Sequence, residues 1–352
     1  MHPDSDEQSQ YSSLPSLGPV PFPFSPFPQY DLSDGLGISC LRSFVIYLRN
    51  PFLLAIAWLA LAAGCARMPG TGITPLKPAT LSELQGLLLN HKADLDQFRL
   101  RGPFAVTVQN DFEIRVSATE RIAADLYLSA PAEKAPLVIL LHGHDNSKEH
   151  HAYQAMHLAT WGMHSLALQL PNQGPWIANG RMLARIVDFI YRRPETIDSR
   201  VDANKIILVG HSFGGASVAI ALAEGAPAAG GILLDPAGVG KEMSAFLRKI
   251  VKPVMVIAGD DQVSRVRDRG LFYEIIRSGV AEVSIRDAHH EDAQFPMEPA
   301  PQGSGTDSSA TEELQITFVS VLTSAAFSLG FTGKLDYAWS SLDDAMQSGK
   351  VY

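Results

Sequence analysis

The strongest chemical signal in the sequence is a serine between two glycines, placed where a strand is predicted to turn into a helix. The apolar run IILV, residues 206–209, leads directly into GHSFG at residues 210–214, and helix-compatible residues follow. Gly210 and Gly214 leave room for a sharp turn, which holds the Ser212 hydroxyl near a helix N-terminus that favours negative charge. A phosphate-binding loop is the competing interpretation, but the segment lacks the P-loop lysine and the dinucleotide glycine spacing. The pattern predicts that Ser212 is a nucleophile.

A second candidate site is the stretch LLHGHDNSKEHH at residues 140–151, which holds four histidines. His142 and His144, with Asp145 nearby, carry the nitrogen and oxygen ligands that zinc accepts. Binuclear zinc hydrolases follow such a pair with a second Asp-His pair, whereas this sequence has Asn146 and Ser147 there. We therefore expect neither a metal site nor a cofactor.

The elements around these motifs predict an α/β fold. Three segments alternate apolar and polar residues, as half-buried antiparallel strands do: FAVTV, FEIRVSA and IAADLYLSA. Nearly continuous apolar runs follow, with helical segments between them: APLVILLHG, MHSLALQLP, KIILVGHS, GGILLDPAG and KPVMVIAGD. This alternation is typical of a parallel sheet covered by helices on both faces, whose functional residues gather at the carboxyl ends of the strands.

Helix signals and connection lengths set the expected domain boundaries. Thr80 and Glu83 form a capping box, which predicts a helix from Leu81 onwards. We expect one domain over residues 80–335 and a C-terminal tail over 336–352 with at most a short helix. The connection after GGILLDPAG is too short for a large cap domain, so we expect an open site.

These motifs resemble the α/β-hydrolase superfamily, in its esterase and lipase branch, over roughly residues 100–330. The resemblance implies a mostly parallel twisted sheet with helices on both faces and an oxyanion hole beside the serine. In the family the loop after the third strand forms part of this hole, so His142 would shape the loop and Gly143 would permit its turn. The backbone N–H groups of His144 and Phe213 would bind the oxyanion, and the later histidines of the run would open the next helix.

The same resemblance places the catalytic base after the last strand. The strand-like segment AEVSIR leads into DAHHED at residues 287–292. In the family a turn of small residues ends in the catalytic histidine, which implies His290, with His289 as the alternative. The histidine that is left over would be an exposed loop residue.

The acid of the implied triad has two candidate loops. Asp261 follows KPVMVIAG and is favoured, although it stands two residues after Gly259 where the family usually has three. Asp260 is a minor alternative in the same loop. Asp235, at the end of GGILLDPAG, is the competitor, because some relatives place their acid after that strand. We expect a carboxylate oxygen of Asp261 to accept a hydrogen bond from His290.

The segment before the predicted domain carries targeting signals. Residues 41–64 contain arginines followed by an apolar run that is short for a transmembrane helix. They resemble a bacterial lipoprotein signal peptide that ends in LAAGC, which implies that Cys65 becomes the lipidated first residue. Residues 65–79 would then be a tether. An uncleaved membrane anchor or a buried helix is the alternative.

Residues 1–40 are rich in Pro, Phe, Ser and Asp and show no periodicity. We therefore expect this segment to be disordered or a mis-annotated extension. In the second case the true start would be a non-Met codon near Leu41 or Val45, because a secretory signal normally begins at the initiator.

Composition narrows the functional class. The 352 residues carry a formal net charge of -9, which gives no reason to expect a nucleic-acid partner. The two cysteines, Cys40 and Cys65, precede the predicted domain, so no disulfide framework is expected. We expect a membrane-anchored lipoprotein of the cell envelope that cleaves small carboxylic esters through an acyl-enzyme on Ser212. The alternatives are a thioesterase, amidase or acyltransferase on the same scaffold, or a non-catalytic surface lipoprotein; the oligomeric state stays open.

Substitution of Cys65 tests the predicted lipid anchor. In a bacterium that processes lipoproteins, the protein should incorporate labelled fatty acid and partition with membranes, and Cys65→Ser should abolish both. Cys40→Ser is the matched control and should retain the label. Label in the Cys65→Ser protein, or a mature chain that retains residues 50–64, would instead identify an uncleaved anchor.

Overall fold

The computed structural model describes residues 80–171, 176–238, 240, 242–260, 270–278, 280–297 and 308–352. The predicted extension, signal peptide, lipidated cysteine and tether all fall within residues 1–79, which lie outside the described residues. The predicted helix after Thr80 is present. Its capping box is complete, because the Thr80 hydroxyl accepts the Glu83 N–H and the Glu83 carboxylate accepts the Thr80 N–H.

An eight-stranded sheet lies at the centre of the fold. The strands are β1 (Val106–Arg115), β2 (Arg121–Ser129), β3 (Ala135–Leu141), β4 (His164–Leu168), β5 (Val201–His211), β6 (Gly230–Leu234), β7 (Val254–Gly259) and β8 (Val280–Ile285). Their order across the sheet is β1-β2-β4-β3-β5-β6-β7-β8. β2 is antiparallel to β1 and to β4, and every other neighbouring pair is parallel. The predicted α/β class with a mostly parallel sheet is confirmed.

Helices cover both faces of this sheet. The described α-helices are α1 (Leu81–Asn90), α2 (Ala152–Thr160), α3 (Trp176–Arg192), α4 (Phe213–Ala223), α5 (Met243–Leu247), α6 (Gly270–Ile275), α7 (Ser308–Thr332), α8 (Asp336–Ser341) and α9 (Asp343–Gln347). Short 3-10 helices cover Leu95–Arg99, Lys148–His151, Pro194–Thr196 and His290–Ala293. Between β6 and β7 the described chain forms only α5, so no large cap domain is inserted there.

Two hydrophobic cores lie on the opposite faces of the sheet. Along β3, Leu137, Ile139 and Leu141 belong to the core that contains α3 and α4, whereas Val138 and Leu140 belong to the core that contains α1, α2 and α7. Successive side chains of a strand point to opposite faces. Because β3 has a helix layer on each side, all of its residues are buried, which explains its continuous apolar sequence.

The first strands differ in one respect from the sequence prediction. FAVTV and FEIRVSA were expected as two strands, but Val106–Arg115 is one strand with an irregularity in its pairing between Gln109 and Phe112. Asp111 lies inside this irregularity and has a positive φ of 54°. A bulge of this kind lets the alternating pattern restart within one strand, which is why the sequence looked like two.

The C-terminal segment is part of the domain rather than a tail. Residues 336–352 form α8 and α9, and the compact unit extends to Tyr352. Backbone hydrogen bonds join Ser284 and Tyr352 in both directions, and Val351 forms an isolated antiparallel bridge with Ile285. After the expected boundary at residue 335, the chain therefore returns to the edge of β8.

Helix α7 is the long apolar helix of the fold. Within it, Thr311–Thr332 is long and apolar enough to cross a membrane by length and composition. Most of this stretch is buried inside the protein, and Phe318, Leu322 and Phe327 have no exposed surface. A helix that is apolar all round and covered by neighbours is typical of a core helix. α7 supports β5, β6, β7 and the segment that carries His290.

Candidate active site

Ser212 lies on a strained turn between β5 and α4. Its φ is 53° and its ψ is -122°, a backbone conformation that non-glycine residues rarely adopt. A Cβ added at Gly210 would lie 2.3 Å from the carbonyl oxygen of Gly214, and one added at Gly214 would lie 2.5 Å from that of His142. Both glycines are therefore required by close backbone contacts, as the sequence pattern predicts.

Backbone hydrogen bonds to the segment after β6 hold this turn. The N–H of Ser212 donates to the Leu234 carbonyl at 3.0 Å, and the Ser212 carbonyl accepts the N–H of Ala237 at 3.0 Å. Ser212 is only 7% exposed and stands at the N-terminus of the eleven-residue helix α4. The helix dipole favours negative charge at this point.

A buried carboxylate contacts the imidazole of His290. Asp235 directly follows β6, is only 2% exposed, and donates its backbone N–H to the Ile257 carbonyl at 2.7 Å. Its Oδ2 lies 2.5 Å from Nδ1 of His290. An ionised carboxylate only accepts hydrogen bonds, so Nδ1 carries the proton and Nε2 keeps its lone pair. This tautomer is the one that a general base needs.

The structure places the alternative acid, Asp235, at the position for which the sequence favoured Asp261. Asp261 lies outside the described residues, and Asp260 accepts a hydrogen bond from the Tyr352 hydroxyl at 2.6 Å instead of contacting His290. The preference for Asp261 is therefore not supported at Nδ1.

The neighbouring histidine has a different task. His289 is exposed and is the N-cap of the 3-10 helix His290–Ala293: its ring accepts the Asp292 N–H, and its own N–H donates to the Asp292 carboxylate at 2.8 Å. Burial raises the pKa of Asp292. The described contact with Asp235 is made by the other candidate, His290.

The loop after β3 passes directly against the serine. His142 fixes its start: Nε2 accepts the Leu170 N–H at 3.0 Å, so Nδ1 carries the proton and donates to the Gly143 carbonyl at 2.8 Å. Burial lowers the pKa of His142, which keeps the ring neutral. A Cβ added at Gly143 would lie 3.0 Å from the Cβ of Ser212. His142 and Gly143 thus shape the loop that passes beside Ser212.

The side chains of His144 and Phe213, the two residues expected to supply the oxyanion donors, lie close together. Phe213 is the first residue of α4, and the ring centroids of Phe213 and His144 are 5.5 Å apart. Within the described part of the chain, neither backbone N–H donates to a backbone carbonyl. The first N–H groups of a helix have no partner inside that helix and form a natural site for an anion. Trp176 stacks on Phe213 with ring centroids 4.9 Å apart and forms one wall of the site.

A buried ion pair, which sequence reasoning missed, anchors this loop to the sheet. Nζ of Lys148 lies 2.9 and 3.0 Å from the two carboxylate oxygens of Asp125 in β2, and 2.7 Å from Oε1 of Glu149. Burial alone would raise the pKa of Glu149, but hydrogen bonds from Lys148, from Ser147 and from the backbone, together with the charge of Lys148, outweigh it and lower the pKa to about 2. Asp125 sits in an alternating strand with no sequence signal that marks its partner, so only the fold reveals the pair.

The four histidines of residues 140–151 do not gather around a common site. His142 uses both ring nitrogens for protein hydrogen bonds, the exposed ring of His144 lies 3.0 Å from the Asp145 carboxylate, and His150 accepts a backbone N–H. His151 is fully buried on the other side of the loop. Among the residues that the structure describes, no group of three or more His, Cys, Asp or Glu side chains is arranged to hold a metal ion.

Comparison with known proteins adds one finding. A family model described as "Alpha/beta hydrolase family" matches residues 138–315, just over half of the chain. The matched range begins in β3 and includes Ser212, Asp235 and His290. Among curated proteins, none shows significant sequence similarity to this chain.

Gly214→Ala tests the close packing of the turn. The new Cβ would meet the His142 carbonyl oxygen, so the elbow or the β3 loop must move, at an expected cost of about 1–3 kcal/mol in the free energy of unfolding. Gly86→Ala is the control, because nothing lies within 4 Å of its Cβ position in α1. It should leave stability unchanged or raise it by up to about 1 kcal/mol. Urea unfolding checks both, and a Gly214→Ala protein as stable as wild type would contradict the packing described.

Proposed function

Because the chain belongs to the alpha/beta hydrolase family, we propose that it is a serine hydrolase that cleaves carboxylic esters through an acyl-enzyme on Ser212. The hydroxyl oxygen of Ser212 attacks the ester carbonyl while Nε2 of His290 takes its proton. The resulting imidazolium is stabilised by Asp235, and it then gives the proton to the alcohol that leaves. Water, activated by the same histidine, releases the acid and regenerates the serine.

The tetrahedral intermediates place a negative charge on the former carbonyl oxygen. The backbone N–H groups of His144 and Phe213 bind this oxyanion, and the N-terminus of α4 adds a favourable dipole. Both N–H groups belong to backbone that is fixed before the substrate arrives. Donors that need no reorganisation during the reaction stabilise the transition state most effectively.

The hydrogen bond between Asp235 and His290 is the observation that supports this activity most directly. The two residues are 55 positions apart, and their 2.5 Å contact sets the imidazole tautomer that can act as a base. It occurs beside a serine with a φ of 53°, a conformation that costs roughly 1–3 kcal/mol. A protein that only binds a partner has no need for either feature.

The expected substrates are small esters with accessible carbonyls. The connection between β6 and β7 forms only the short helix α5 in its described part, so no large cap covers the serine. Trp176 and Phe213 offer partly exposed aromatic surface beside the oxyanion donors. An open site with apolar walls suits an uncharged acyl or alcohol group. No cofactor takes part in the proposed reaction.

The proposed location is the cell envelope, with the mature chain anchored by a lipid on Cys65. This proposal depends on the sequence alone: an apolar run after arginines that ends in LAAGC. Residues 66–79 contain prolines and glycines and would separate the anchor from the domain that begins at Thr80. The Cys65→Ser experiment described above tests it.

Removal of Ser212 and His290 tests the mechanism. Ser212→Ala and His290→Ala should each lower kcat for an aryl ester by on the order of 10⁴-fold, and the double variant should be little worse, because each group is useless without the other. A fluorophosphonate probe should label wild type and fail to label Ser212→Ala. Activity should survive EDTA. Additive losses in the double variant, or activity lost with EDTA, would count against the mechanism.

The assignment of the acid has its own test. Asp235→Asn keeps the shape of the side chain but lets His290 adopt the wrong tautomer, so kcat should fall by on the order of 10³ to 10⁴-fold with the fold intact. Asp260→Asn, whose amide oxygen can still accept the Tyr352 hydroxyl, should lower kcat by less than about tenfold. Steady-state kinetics of both variants, with circular dichroism as the folding check, decides the matter. Full activity in Asp235→Asn together with a large loss in Asp261→Asn would refute the assignment.

A further inference from the structure

The segment that carries His290 is held through its backbone carbonyls. After the 3-10 helix His290–Ala293 the chain continues as Gln294 and Phe295 without regular structure. Carbonyls at the end of a helix need partners from elsewhere. Four backbone carbonyls between His290 and Phe295 accept such hydrogen bonds. The His290 carbonyl accepts from Nε2 of His211 at 3.0 Å, and the Ala293 carbonyl accepts from Nε2 of Gln154 at 2.9 Å. The Gln294 carbonyl accepts from Nε2 of Gln315 at 3.0 Å, and the Phe295 carbonyl accepts from the Tyr153 N–H at 3.0 Å.

Gln154 is the buried link in this set. It lies on α2 and has no exposed surface. Its side chain makes two hydrogen bonds, and the partners determine which end donates and which accepts. Its Nε2 donates to the Ala293 carbonyl, which can only accept. Its Oε1 therefore faces Nδ1 of His151, which must donate. His151 is itself fully buried, and burial lowers its pKa to about 4, so it remains a neutral donor at neutral pH.

Further bonds tie the same two stretches together. Nδ2 of Asn146 donates to Oε1 of Gln294 at 2.8 Å, and the N–H of Phe295 donates to the carbonyl of His150 at 3.0 Å. The rings of Tyr153 and Phe295 stack with centroids 4.1 Å apart. The loop that carries the oxyanion donor His144 and the segment that carries His290 are therefore cross-linked into one unit.

We propose that Gln154 is a positioning residue for His290. Its hydrogen bond to the Ala293 carbonyl fixes how far the segment that carries His290 lies from the sheet, while Asp235 fixes the rotation of the His290 imidazole. The inference rests on the proposed function, because the imidazole needs precise placement only if its Nε2 takes a proton from Ser212. A displacement of about 1 Å at such a group can cost on the order of 10²-fold in rate.

A buried amide at this place has an alternative, purely structural explanation. The Ala293 carbonyl is buried and needs a donor, and leaving it unpaired would destabilise the fold wherever it occurred. The two explanations differ in what happens when His290 is absent. A positioning residue acts through the imidazole, so its effect on the rate vanishes without that imidazole. A purely structural residue affects both backgrounds equally.

The experiment is a double-variant cycle with Gln154→Met and His290→Ala. Methionine has a similar volume and cannot donate to the Ala293 carbonyl. We expect Gln154→Met to lower kcat for an aryl ester by roughly 10 to 100-fold with KM changed less than about twofold. In the His290→Ala background, whose residual rate comes from the oxyanion donors and binding, the same substitution should change the rate by less than about twofold.

Two further variants make the result unambiguous. Gln97→Met is the matched control: Gln97 also donates one amide hydrogen bond, to the Tyr337 hydroxyl at 2.8 Å, but it lies away from His290, so kcat should change by less than about twofold. Gln154→Glu replaces Gln154→Met if that protein fails to fold. In its ionised form it retains the acceptor for His151 and loses the donor to Ala293, so it should show the same selective loss of kcat at pH values above the pKa of this carboxyl, which burial raises.

The outcomes separate the inference from the proposed function. Wild type without any Ser212-dependent hydrolysis would overturn the proposed function and this inference with it. Wild-type activity that His290→Ala abolishes, together with a folded Gln154→Met or Gln154→Glu protein of normal kcat, would overturn the inference alone. Equal losses from the Gln154 substitution in both backgrounds would assign the residue a structural role and also overturn it.

Discussion

Ser212 can keep a φ of 53° only while the surrounding backbone leaves it no other conformation. The end of β6 supplies most of that constraint, because Leu234 accepts the serine N–H and Ala237 donates to the serine carbonyl. Gly210 and Gly214 let neighbouring backbone approach closely enough for these bonds to form. The conformation of Ser212 is thus fixed by backbone contacts and needs little from its own side chain.

The same constraint places Asp235. Asp235 stands between the two residues that hold Ser212, has a positive φ of 37°, and is tied to β7 through its N–H. Its carboxylate is almost fully buried, so its interaction with an imidazolium is screened much less than it would be in water. One short segment therefore holds the serine and orients the histidine, and a shift of β6 would disturb both.

His290 reaches the site on a segment that has little regular structure of its own. Its position depends on side chains from three other elements, among them Gln154 of α2 and Gln315 of α7. Buried neutral histidines take part in this support: His211 donates to the His290 carbonyl and His151 donates to Gln154, and burial lowers the pKa of both. The histidine-rich run of the sequence thus serves mainly to build the loop and its connections.

The sequence by itself predicted the fold class, which the structure confirms, and indicated Ser212 as a candidate nucleophile and the segment of a candidate base, because each depends on patterns within about ten neighbouring residues. Only the tertiary structure showed that Asp235 contacts His290, whereas Asp261 lies outside the described residues. β6 and β7 are adjacent parallel strands, so their carboxyl ends lie side by side and either could carry the acid. The partners of Lys148 and Gln154 were equally invisible, since Asp125 and Ala293 are 23 and 139 positions away. Contacts of that kind have no local pattern, because they form only when the sheet brings distant segments together.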